Sequence, residues 1–222
     1  DEELIGHLRQ RLGRHVTLRL DANGGYANPK AAIRAVRAME RHGLDYVEQP
    51  VPGKARLAEV TRAVTAGTVA DESCWSLADA IELHELRAVD AISIYVGKAG
   101  GLYRARAIAA FAAAVGLPHD VNGSLELGIG AAANLHLIAA SPNGRLASVT
   151  PVNGPAEARA SRVAGRYSSD DVIAAPFRFE AGMVVLDERP GLGIEVDEGK
   201  LELYTVEHRV SECEGLRVRQ TE

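Results

Sequence analysis

Short apolar stretches that end on a charged residue alternate with helix-length stretches over the first two thirds of this sequence. No other feature restricts the fold as much. Val16 to Leu20 is closed by Asp21, Asp45-Tyr46-Val47 by Glu48, Thr68-Val69-Ala70 by Asp71, and Ala91 to Val96 by Lys98. A helical pattern lies between each pair, and strict strand–helix alternation is the signature of parallel βα units. In a parallel barrel the C-terminal strand ends converge on one face, so four charged residues roughly 25 positions apart meet in one pocket. Three carboxylates there make a hard, all-oxygen site suited to Mg²⁺. A lysine beside them is a candidate base.

The spacing predicts six strands, at residues 15–20, 44–48, 68–71, 90–96, 117–122 and 146–149. Leu4, Ile5, Leu8 and Leu12 recur at helical spacing ahead of the first strand. Asn28-Pro29 and Ser76 open later helices, and Gly13, Gly43 and Gly116 follow helix ends. Beyond Pro151 the rhythm breaks. A polar connection over 156–171 leads to three stretches read as short antiparallel strands, at 177–179, 183–186 and 201–204. The charged end, 211–222, is expected to fray. Residues 1–150 are therefore read as a partial catalytic α/β barrel, and residues 151–222 as a segment packing back on it.

A net charge of −5 without a long run of like charge argues against a nucleic-acid surface. Cys74 and Cys213 match no metal or redox spacing, and a reducing cytoplasm is the simplest compartment for them. No apolar segment approaches the roughly 20 residues that span a bilayer, and no signal peptide opens the chain. The sequence begins with Asp1 inside a helical pattern, which reads as a cut.

Asp21-Ala22-Asn23, Glu48-Gln49-Pro50, Asp71-Glu72-Ser73 and Lys98-Ala99-Gly100-Gly101 resemble the successive strand-end motifs of the enolase superfamily, and within it the muconate-lactonising (muconate cycloisomerase) subgroup. The stretch from Leu125 to Gly130 resembles that subgroup's motif after the seventh strand, and Pro190-Gly191-Leu192-Gly193 its C-terminal return. The resemblance covers residues 15–204 or so and implies a TIM-like (β/α)7β barrel, of which strands three to eight lie here. The family's N-terminal capping domain, on which residues 151–222 would also pack, and its first two strands, with a Lys-x-Lys base motif, match nothing in this sequence. Six strands alone would leave an open sheet, so residues 1–222 by themselves are expected to associate and to be inactive.

The resemblance implies Asp21, Glu48 and Asp71 as ligands of Mg²⁺, or Mn²⁺ in its place, and Lys98 as acid/base in removing a proton α to a carboxylate. A metal-bound carboxylate stabilises the enediolate where its charge develops; the superfamily is itself a standard illustration of a lysine base working with Mg²⁺. Glu72 is the rival to Asp71, since adjacent strand positions face opposite ways; the motif match favours Asp71. Glu126 is left between contacting substrate, pairing with an inward lysine and capping a helix, and Asn23 between supporting Asp21 and forming a turn. His119-Asp120 is read as structural, at the strand start and away from the motifs, and Cys74 and Trp75 as packing.

In the mandelate-racemase-like subgroup a His follows strand seven and its Asp partner strand six. Asn122 and Lys98 stand in those places, which favours lysine chemistry, and Asn122 is read with Glu126 and Asn23 as contacting substrate or supporting the site. Dipeptide epimerases carry Asp-x-Asp at the eighth strand; Ser148-Val149-Thr150-Pro151 stands here and disfavours that activity. A cycloisomerase, racemase or epimerase of a small carboxylate substrate is expected, as a homo-oligomer and without nucleic-acid or membrane partners. The alternatives are a dehydratase of acid sugars or hydroxy amino acids on the same scaffold, a Schiff-base barrel using Lys98, and a catalytically incomplete scaffold.

Overall fold

Local signals written in the chain start its helices. In the computed structural model, which describes residues 1–124, 126–149 and 170–207, the Asn28 side chain accepts the Ala31 N–H at 3.0 Å ahead of Pro29. Ser76 and Asp79 form a reciprocal capping box. The elements run α1 (Glu2–Leu12), β1 (Arg19–Asp21), α2 (Pro29–Glu40), β2 (Tyr46–Glu48), α3 (Lys54–Thr61), β3 (Gly67–Ala70), α4 (Leu77–Glu85) and β4 (Ala91–Ile94). A single turn, α5 (Val96–Ala99), α6 (Leu102–Ala114), β5 (His119–Val121) and α7 (Gly128–Ala139) follow. β1 to β5 pair in parallel in chain order, so α2, α3, α4 and the α5–α6 pair each cross between neighbouring strands.

Val47, Val69 and Ile92 on the strands, with Val36, Met39, Leu57 and Leu83 on the helices, are fully buried. β4 and β5 are buried along their whole length, as parallel strands covered on both faces must be. Each such side chain contributes about 1.5–3 kcal/mol. The first helix buries less than its pattern promised: Ile5 is covered, whereas Leu4 is 57 % exposed.

The sheet is curved. Five flat strands would set β1 and β5 about 19 Å apart, yet the Arg19 guanidinium on β1 forms an ion pair with Asp120 on β5, 101 positions on. An arginine spans that interior only if the sheet bends into a barrel arc.

Three expectations need correction. Residues 146–149 run beside β5 without forming a sixth strand. Gly123 N–H donates to the Val149 carbonyl at 3.0 Å, but Val149 N–H goes to the Asn122 side-chain oxygen and Val121 N–H to Ser148 Oγ, so side chains take ladder positions. The stretch 201–204 belongs to a helix, α8 (Glu198–Tyr204), because Asp197 accepts the Lys200 N–H at 3.0 Å and caps it. Lys98 lies not on a strand end but in the turn α5.

The other two C-terminal strands form a hairpin, β6 (Arg178–Glu180) and β7 (Met183–Val185), turned through Ala181 and Gly182 at φ 50° and 79°. The C-terminal segment docks through Asp171, whose carboxylate accepts the Gly128 N–H at the start of α7. Among the described residues no helix is long and apolar enough to cross a membrane. The boundary at 150/151, nearly all of the 156–171 connection, the 211–222 tail and Cys213 lie outside the described residues.

Candidate active site

Register brings the acids together. Asp21 on β1 stands opposite Glu48 on β2, while Glu48 pairs with Val69 on β3, two residues short of Asp71. All three lie at the C-terminal end of the sheet. Asn23, held at φ 46°, donates its N–H to Asp21 Oδ1 at 2.9 Å, so it fixes that carboxylate as well as making the turn. Burial raises the Asp21 pKa and neighbouring Asp71 adds to the rise, while the Asn23 N–H and Arg19 oppose it.

Glu48 is 4 % exposed. Arg19 donates to its Oε2 twice, from Nε at 3.0 Å and Nη2 at 2.7 Å. Its Oε1 is buried without a hydrogen-bond partner among the described residues. Burial pushes the Glu48 carboxyl up to about 7; Arg19 works against this, and Asp21, Asp120 and Asp71 add to it.

The turn α5 folds Lys98 back over the acids. Its Nζ donates to the Asp71 carboxylate, to the Asp71 carbonyl at 2.7 Å and to the Ser93 carbonyl at 3.1 Å, which uses all three donors. The ammonium sits 4.5 Å from the centre of the Tyr95 ring, and Tyr95 donates its hydroxyl to Asp71 Oδ2 at 3.1 Å. Burial and then the Asp71 charge drive the phenol's pKa up. Asn134 of α7 accepts the Val96 N–H at 3.0 Å and so anchors the turn.

Between the acids stands Gln49, 1 % exposed and at φ 34°. Its oxygen accepts the N–H groups of Asp71 (3.0 Å) and Ser73 (3.1 Å); its nitrogen donates to the Val51 carbonyl and Ser73 Oγ, both at 2.8 Å. All four amide positions are satisfied, and the two strand ends are locked together.

Of the adjacent pair, Asp71 meets Lys98 and Tyr95, whereas Glu72 is exposed and its carboxyl is raised chiefly by partial burial. Asn122 is 2 % exposed and clasps the wall, donating to Ser93 Oγ at 2.8 Å and accepting from Val149. Glu126 accepts the Ser124 N–H, and its Oε1 lies 3.9 Å from where a Cβ on Gly97 would stand, beside the Lys98 turn. Cys74 is packed as expected and its thiol is pushed up to about 11 by burial. Trp75 is not packed: it is 55 % exposed, its indole N–H tied to the Glu72 carbonyl. His119 is buried with neither ring nitrogen partnered among the described residues, and burial lowers its pKa to about 4. Asp120 is not remote from the acids, since it reaches Glu48 through Arg19.

The sequence reading gave no role to Arg19, Gln49 or Tyr95 and set Asp120 aside as structural. Only Arg19 had a usable signal: two positions before Asp21 on a strand, it shares the inward face. As they stand, no three His, Cys, Asp or Glu side chains among the described residues close into a metal-holding group.

The enolase C-terminal domain-like family model matches residues 1–200. An L-Ala-D/L-Glu epimerase of Clostridium acetobutylicum is 36% identical over 199 residues, covering 88% of this chain and 52% of that protein. Muconate cycloisomerase 1 of Rhodococcus opacus is 30% identical over 207 residues, covering 92% and 52%. The substrate-liganded L-Ala-D/L-Glu epimerase of Bacillus subtilis superposes with a TM-score of 0.74 at 33% identity, covering 87% of this chain and 51% of that one. The chain thus spans about half the length of the curated relatives it matches. With its parallel curved sheet and consecutive acidic strand ends, the chain belongs to the enolase C-terminal domain-like family of the enolase superfamily.

Proposed function

We propose that this chain supplies the barrel portion of a Mg²⁺-dependent isomerase that removes the proton α to a substrate carboxylate, with Lys98 as acid/base on one face. The observation that carries the reading is the convergence of three carboxylates from consecutive strand ends, with a buried ammonium lying on one of them.

The donor set fits a hard divalent cation. Every donor is an oxygen, Glu48 Oε1 is buried without a partner among the described residues, and Asp21 and Asp71 add unfavourable charge at Glu48. Asp21, Glu48 and Asp71 would hold Mg²⁺, or Mn²⁺, which supplies neutralisation of the charge that develops on the substrate carboxylate. The chain's own residues do the rest. As an ammonium Lys98 holds at Nζ the proton it would return to the substrate α-carbon; to remove one it would first give that proton to solvent and leave the Asp71 carboxylate. Asn23 and Gln49 hold the flanking acids in place, and Glu126 is the polar group nearest the Lys98 turn from the seventh-strand motif. Asn122 acts by bracing the wall.

Relatives named as epimerases, cycloisomerases and an N-succinyl-L-Arg/Lys racemase support proton transfer at a carbon next to a carboxylate. Ser148 stands where a dipeptide epimerase would present acid to a substrate ammonium, and its hydroxyl accepts the Val121 N–H. This favours a carboxylate substrate without a free α-ammonium.

The test is exchange of the substrate α-proton in deuterated water, using the full protein, Mg²⁺ and a panel of N-succinyl amino acids and the lactones formed from muconates. Exchange should vanish on chelation and in Glu48→Gln, with the fold retained. Near-normal exchange under chelation overturns the reading.

A further inference from the structure

We propose that Arg19 is a positioning residue for the acidic site: braced by Asp120 from the far side of the sheet, it holds Oε2 of Glu48 and leaves Oε1 as the oxygen available to a divalent cation. This rests on the cation-binding reading above and adds two residues to it.

The geometry is specific. Arg19 lies one inward position below Asp21 on β1 and places two N–H groups on a single oxygen of Glu48, at 3.0 and 2.7 Å. Its third contact, Nη1, goes to the Asp120 carboxylate, which is wholly buried. The fork therefore cannot swing without leaving a buried carboxylate without its counter-charge. A lysine lacks this planar fork and could not set two N–H groups on one Glu48 oxygen while a third reaches Asp120. Asp120 is itself placed by β5, where it pairs in register with Ser93 of β4, whose carbonyl receives the Lys98 ammonium. One interior layer thus fixes Glu48 from one side and the Lys98 turn from the other. The Glu48 oxygen that this layer does not touch is the one without a partner among the described residues.

A counter-charge alone would act differently. An arginine that merely offset negative charge would, once removed, leave the acids more attractive to a cation. A positioning arginine, once removed, leaves Glu48 free to rotate and weakens cation binding. The double variant Arg19→Met/Asp120→Asn separates the two, because it removes one charge of each sign and leaves no unpaired buried carboxylate at residue 120.

The experiment is Mn²⁺ titration of the full protein followed by electron paramagnetic resonance, with thermal melting as the folding control. The double variant should melt cooperatively and bind Mn²⁺ roughly 10–100-fold more weakly, the range seen when groups that orient a metal ligand are lost. Arg19→Lys should recover only part of the loss. Unchanged or tighter binding in the double variant, or full recovery in Arg19→Lys, overturns the proposal while leaving the cation site standing. If the unaltered protein and Glu48→Gln take up Mn²⁺ equally weakly, the cation reading fails and this inference goes with it.

Discussion

The side-chain oxygen of Gln49 accepts the backbone N–H of Asp71 at 3.0 Å, so the residue that follows one candidate ligand sets the position of the next. Gln49 pairs at all four amide positions while held at a positive φ, a conformation that persists only where its surroundings enforce it.

Gln49→Leu strips acceptors from two N–H groups and a donor from the Val51 carbonyl. We expect a loss of about 2–4 kcal/mol, since each buried group left unpaired costs roughly 1–3 kcal/mol before relaxation. Urea denaturation of the full protein reads this directly, and a change below about 0.5 kcal/mol would show that the clamp is dispensable.

Lys98→Met should reduce turnover by about 10²–10⁴-fold, the usual worth of general acid–base catalysis. Loss of α-proton exchange should appear on one face of the substrate first. A variant that exchanges normally on both faces would remove Lys98 from the reaction.

His119 gives a pH signature. Its pKa in the fold, about 4, lies below the ordinary 6.5 because burial disfavours the charged ring. The unfolded chain therefore takes up the proton first. Stability from neutral His119 is whole above the ordinary value and is lost as pH falls toward about 4, by on the order of 3 kcal/mol in total. Glu48, raised to about 7, acts in the opposite sense over an overlapping range. The measurement is thus the difference between wild type and His119→Leu melting curves. That difference should grow in favour of the variant on acidification, and a pH-independent gap would refute it.

Asp171→Ala should loosen the start of α7, where the carboxylate accepts the Gly128 N–H at 2.8 and 3.0 Å. Loss of a helix cap costs about 1 kcal/mol. Hydrogen exchange at Gly128 should speed up, with little change at Ile92 in the central strands. Equal acceleration at both sites would mean global destabilisation instead.

The sequence by itself determined the βα rhythm, the helix starts at Asn28 and Ser76, and the ends at which Asp21, Glu48 and Asp71 stand, because period, caps and strand-end charges are local properties of the chain. It misjudged residues 146–149 and 201–204, where side chains intervened: Asn122 and Ser148 took ladder positions, and Asp197 capped a helix over an alternating pattern. Tertiary structure alone decided that Arg19 meets an aspartate 101 positions away, that Gln49 locks two strand ends, and that Lys98 rests on Asp71 from a turn rather than a strand. These contacts depend on how far the sheet curves and on which side chains its register sets face to face, and neither is encoded in the spacing of any one segment.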